Sequence, residues 1–66
     1  MSARAEEYSE IGQNYFYGIG CRKNYVRALP FLTFAALAGN AHCQNLVGYM
    51  LDHGLGTARN RGDAVR

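Results

Sequence analysis

The side chains able to do chemistry in this 66-residue chain are few. Cys21, His42, Cys43 and His53 supply sulfur and nitrogen, and Glu6, Glu7 and Glu10 supply clustered carboxylates. A zinc site needs ligands in short paired spacings, so that one cation is gripped from two directions. His42 and His53 are 11 positions apart, about three helical turns, and give no such pair. A nucleophilic cysteine needs a positioned base, and His53 lies too many turns from Cys43 to share a hydrogen bond. The three glutamates fall on the opening turns of a helix, where solvation and the macrodipole account for them. Gly18-Ile19-Gly20 and Gly54-Leu55-Gly56 have the glycine content of phosphate-cradling loops. Neither has the following Lys-Ser/Thr or the third glycine, and both follow helical patterns instead of strands. These residues predict no catalytic group, no cofactor and no metal. Cys21 and Cys43 are too few for a disulfide framework; reduced thiols are expected, with a Cys21–Cys43 bridge as the alternative if the first loop packs on the later helix.

The elements carrying these residues repeat. Gly12, Gly18, Gly20, Asn24 and Ala28 return at an offset of 36 residues as Gly48, Gly54, Gly56, Asn60 and Ala64. The same offset pairs Ala5 with Ala41, Ile11 with Val47, Tyr15 with Leu51, Ile19 with Leu55 and Leu29 with Val65. The matches fall on glycines and apolar positions, the ones a fold constrains most. In a repeat array each unit buries its apolar face against its neighbours, so function lies on the stacked surface. Residues 1–66 read as one domain, with unit one over about 5–40 and unit two over about 41–66, cut short within its second helix. Open ends of this kind are closed by further repeats, by self-association or by a partner.

A net charge of +2 is too slight for the dense basic face of a nucleic-acid binder. No apolar run nears the roughly 20 residues that span a bilayer, and Met1 to Glu7 lack a signal-peptide core. A cytoplasmic location is the expectation, or a secreted or periplasmic one if the chain belongs to a longer precursor.

Apolar residues at Ala5, Tyr8, Ile11, Tyr15 and Phe16 are spaced as one stripe of a helix ending at Tyr17, closed by Gly18-Ile19-Gly20. Asn24 is placed to cap a second helix reaching about Ala38. Its apolar band, Ala28, Leu29, Phe31, Leu32, Phe34, Ala35, Ala36 and Leu37, is too broad for one buried side and predicts cover on two. Pro30 predicts a late start or a slight bend. Gly39-Asn40 ends that helix, and a third runs from Ala41 to His53 with Ala41, Val47, Met50 and Leu51 inward. Gly12 and Gly48, in mid-helix, are expected to admit the paired helix at Ala28 and Ala64. The architecture is all-α: a solenoid of antiparallel helix pairs, about one and a half to two repeats long.

The string from Ala41 through Gln44, Leu46, Gly48 and Leu51 to Gly54-Leu55-Gly56 resembles the opening of a Sel1-like repeat. Asn24 to Asn40, with Ala28-Leu29, Phe31, Ala35-Ala36 and the closing Gly39-Asn40, resembles that repeat's second helix. The tetratricopeptide family shares the Gly12-to-Tyr15 element but repeats every 34 or so residues and lacks the double-glycine turn. The resemblance implies a right-handed α-solenoid acting as a protein-interaction adaptor, with Gly39 among its structural positions. A disulfide-linked branch carries two cysteines per unit, which this chain lacks. Phe34, Leu37 and Ala38 replace the usual polar residues late in the second helix, and Pro30 an early charge.

First helices of each pair line the concave side of such solenoids, so Gln13, Tyr17, Asn45, Tyr49 and His53, off the buried stripe, are the expected partner-binding positions. Arg22, Lys23 and Arg59 form a small basic edge. The function expected is a protein–protein interaction module without catalysis, with a protein partner, no nucleic acid, no membrane and a capacity to self-associate through the open end. A structural unit of a larger repeat protein and a secreted disulfide-linked repeat protein are the alternatives.

Overall fold

The computed structural model describes residues 3–57. Three helices follow one another: α1, Ala3–Tyr17; α2, Tyr25–Leu37; and α3, Ala41–His53. The signals read from the sequence set their ends. Asn24 Oδ1 accepts the Arg27 N–H at 3.0 Å, and Asn40 Oδ1 accepts that of Cys43 at 2.9 Å, each using an amide the first turn leaves unpaired. The glycine turns have nearly the same backbone, with φ of 77° and 73° at Gly18 and Gly20 and 68° and 73° at Gly54 and Gly56. A left-handed position recurring at both places is why glycine recurs there.

Tyr8 meets Phe34 edge-on at 4.7 Å while Phe16 meets Tyr25 at 5.3 Å, so α1 and α2 run antiparallel. Gln44 Nε2 donates to the Ala36 carbonyl at 3.0 Å, and the turn at Gly56 lies against Tyr25, so α3 runs antiparallel to α2 in turn. The fold is an all-α solenoid of paired helices. As its broad apolar band requires, α2 is covered on two sides: Ala28, Leu32 and Ala35 are fully buried, with Phe31 and Phe34 turned to α1 and Ala36 to α3. Around them close Phe16, Cys43, Leu46 and Met50.

Three details differ from the sequence reading, and the expectation at Gly48 rests on a residue outside the described ones. The close approach at Gly12 is made by Leu32, one turn beyond Ala28: a Cβ on Gly12 would stand 2.7 Å from Leu32 Cγ and Cδ2. Gly48 has nothing within 4 Å of its Cβ direction among the described residues; Ala64, expected there, lies outside them. Ile11, Ala41 and Leu51 are exposed, whereas Ser9 and Cys43 are buried. Periodicity finds apolar residues, but a close crossing favours small ones, and the buried line of α1 is Ser9, Gly12 and Phe16. Finally, of the late start or slight bend expected at Pro30, the late start is absent: α2 begins at Tyr25. The carbonyl that Pro30 leaves unpaired belongs to Val26, which is 68% exposed, where water replaces the lost bond.

Candidate functional site

Where α1 meets α3, the two first helices are joined through Ser9. The Ser9 hydroxyl accepts from Gln13 Nε2 at 2.8 Å and from Asn40 Nδ2 at 3.3 Å, and stands 3.2 Å from Cys43 Sγ. Two amides occupy both acceptor sites of the oxygen, so its proton is donated to the cysteine sulfur. The thiol therefore acts as an inter-unit acceptor in a buried junction. Both cysteines are free: Cys43 is buried, and Cys21 is exposed with its sulfur 3.6 Å from the Asn14 carbonyl.

With Ser9 beside Cys43 and Phe16 beside Tyr49, α1 and α3 run parallel and present one continuous face. His42, Asn45, Tyr49 and His53 follow at spacings of three and four along α3, and all are exposed. Tyr17 on α1 is 46% exposed and Tyr49 50%. The Tyr17 hydroxyl reaches His42 Nε2 at 3.5 Å, tying the rim of α1 to the start of α3. The rings are supported from beneath, with Phe16 edge-on to Tyr17 at 4.9 Å and to Tyr49 at 6.3 Å. His53 lies against Tyr49 with ring centroids 4.2 Å apart. Its Nδ1 is 2.9 Å from the Tyr49 carbonyl; a carbonyl only accepts, so Nδ1 carries the proton and, in the neutral ring, Nε2 keeps the lone pair.

Tyr17, Asn45, Tyr49 and His53 thus share one surface. Gln13 is half-buried at its floor, its amide nitrogen committed to Ser9. His42 belongs to the same surface and was not among the expected binding positions; its spacing to Asn45 and Tyr49 was the available signal. Between the start of α1, the end of α2 and the turn into α3, an open cavity of ≈ 230 Å³ is lined by Ala5, Glu6, Ala35, Ala38, Gly39 and Asn40. Among the described residues, no three of His, Cys, Asp and Glu are grouped to hold a metal ion. No helix among them is long and apolar enough to cross a membrane.

The Sel1 repeat model matches residues 8–40 and again 41–66. The chain belongs to the Sel1 repeat family. No curated protein and no solved structure matches it. Sel1 repeats are in general protein-interaction modules. In this Sel1 protein the first match spans most of α1, the glycine turn and α2, and the second opens at the first residue of α3. The Ser9–Cys43 junction is therefore a contact between repeats.

Proposed function

We propose that the chain is a protein–protein interaction module without catalysis of its own, and that its partner is held on the parallel α1–α3 face. The observation that carries this reading is the pair Tyr17 and Tyr49, half-exposed on one surface yet fixed from below by Phe16. A tyrosine held in place loses little conformational freedom on binding and offers a large apolar area with one polar tip. Asn45, His42 and His53 ring the tyrosines with donors and acceptors. A peptide held here makes hydrogen bonds as well as ring contacts.

Partner capture by the chain and by two variants tests this. Tyr49→Ala on the α1–α3 face lowers retention of specific partners about tenfold or more, the scale of a contact hot spot. Leu37→Ala, at an 83% exposed position on α2, leaves it unchanged. Equal loss from both variants, or loss from Leu37→Ala alone, removes the assignment.

A second reading has its own observation. Leu51 is 56% exposed, and Gly48 beside it has no neighbour among the described residues, whereas their counterparts Tyr15 and Gly12 are covered by Phe31 and Leu32. That side of α3 suits a further stacked helix, so the same chain also serves as a structural unit of a solenoid.

A further inference from the structure

We infer that the α1–α3 face takes an extended basic segment of a partner protein, with arginine or lysine side chains seated against Glu6 and over the two tyrosines. This rests on the reading of that face as the contact surface and names the chemistry of its occupant. The charge distribution selects it. Glu6, Glu10, Gln13 and Tyr17 follow at spacings of four, three and four along α1, so both carboxylates share the stripe that presents Tyr17. Asp52, one turn from Tyr49, brings a third exposed carboxylate to the α3 edge.

Among the described residues, Arg4, Lys23 and Arg27 are turned elsewhere. Arg27 lies 5.9 Å from the Tyr15 ring and Lys23 5.7 Å from the Tyr25 ring, both on aromatics that pack between α1 and α2. Arg4 is in register with Tyr8 and Tyr15, the side of α1 that α2 covers. A molecule of net charge +2 thus keeps an acidic, aromatic face apart from these basic groups. Complementarity across such a face fixes register and speeds encounter.

The cavity of ≈ 230 Å³ at the Glu6 end has the lining a long basic side chain needs. Ala5, Ala35, Ala38 and Gly39 are small walls for a methylene stem. Among the six lining residues Glu6 alone carries charge, and Asn40 adds a polar edge. At the other end, Tyr17 and Tyr49 present half-exposed rings, on which a guanidinium or ammonium stacks. From Glu6 to Tyr17 the helix rises about 16 Å, the reach of roughly five extended residues. The segment therefore carries two basic residues about five positions apart.

The test uses the whole chain and fluorescence anisotropy at low salt. The probe is a labelled peptide with two arginines separated by four serines; matched probes carry glutamines or glutamates in their place. The arginine probe binds saturably, the glutamate probe at least tenfold more weakly, and 0.5 M salt weakens the arginine probe severalfold. Glu6→Gln with Glu10→Gln reduces arginine-probe affinity about fivefold, and Tyr49→Ala does likewise. Glu7→Gln, off that stripe, changes it less than twofold, with helicity monitored for every variant. No saturable binding of the arginine probe, or equal binding of all three probes, overturns the proposal. If the glutamate probe binds better and Tyr49→Ala abolishes it, the face stands as a contact surface and the basic occupant is wrong. Dimerisation that Glu6→Gln with Glu10→Gln abolishes, without probe binding, assigns the face to a second copy and equally overturns it.

Discussion

Alanine at two equivalent glycines gives opposite results, and the difference measures how tightly the first repeat is closed. Away from other constraints, alanine in mid-helix is favoured over glycine by about 1 kcal/mol. At Gly48 nothing among the described residues lies within 4 Å of the added methyl, so against those residues Gly48→Ala gains most of that amount. At Gly12 the methyl would stand 2.7 Å from Leu32 Cγ and Cδ2 and 3.0 Å from the Leu32 backbone nitrogen, against about 3.5–4.0 Å for an ordinary contact. Leu32 is fully buried, so its side chain has no open space to move into. Overpacking of this kind costs about 1–3 kcal/mol, which outweighs the propensity gain and leaves Gly12→Ala less stable by up to about 2 kcal/mol. The two variants differ by about 2 kcal/mol, or roughly 10 °C in melting midpoint for so small a domain. Urea and thermal melts followed by circular dichroism read this directly. If Gly12→Ala stabilises as much as Gly48→Ala, the Leu32 crossing is wrong; if Gly48→Ala destabilises, its surroundings are not open.

Removing the Ser9 hydroxyl leaves the Gln13 and Asn40 amides without their shared acceptor, so Ser9→Ala costs about 1–3 kcal/mol by urea titration; a neutral result would show that the junction bears no load. Under native conditions a thiol reagent labels Cys21 within seconds and Cys43 only as the chain opens, because Cys43 is fully buried; equal rates contradict the packing of α3. Among the described residues, alanine at Gly20 meets no atom within 4 Å and carries only the cost of φ 73°, whereas at Gly56 it also meets the Tyr25 carbonyl. Gly56→Ala is therefore the more destabilising of the pair, and the reverse order in thermal melts would refute the docking of the second turn on α2.

Side chains that act locally were the ones legible in the sequence. Asn24, Asn40 and Gly54 determine ends through bonds to their own backbone neighbourhood, and α3 begins and ends where they place it. The broad apolar band of α2 gave its two-sided burial because that follows from the count of apolar residues around the helix. Register across helices was harder. Hydrophobicity alone places Ile11 inward, yet it is 36% exposed, because the crossing brings Gly12 and Ser9 to the neighbour. The Gly12 partner was placed at Ala28 by pairing small with small, whereas the crossing falls one turn on, at Leu32.

The α1–α3 face proposed for partner contact was legible in part. Tyr17, Asn45, Tyr49 and His53 follow from helical position together with the resemblance to a solenoid family, and they share one surface. The bond from Tyr17 to His42 and the Phe16 support beneath both tyrosines depend on how far α3 slides along α1. That slide is set by the Ser9–Cys43–Asn40 junction. Ser9 resembles an ordinary surface serine in sequence, so nothing in the pattern marked the junction in advance.

The most direct test of the α1–α3 face is photo-crosslinking of the chain with its partners, placing a photoreactive amino acid in turn at Asn45, Tyr49, Thr33 and Leu37. Adducts are expected from positions 45 and 49, with little from 33 and 37 on α2. Adducts concentrated at 33 and 37 would contradict it and move the contact to α2.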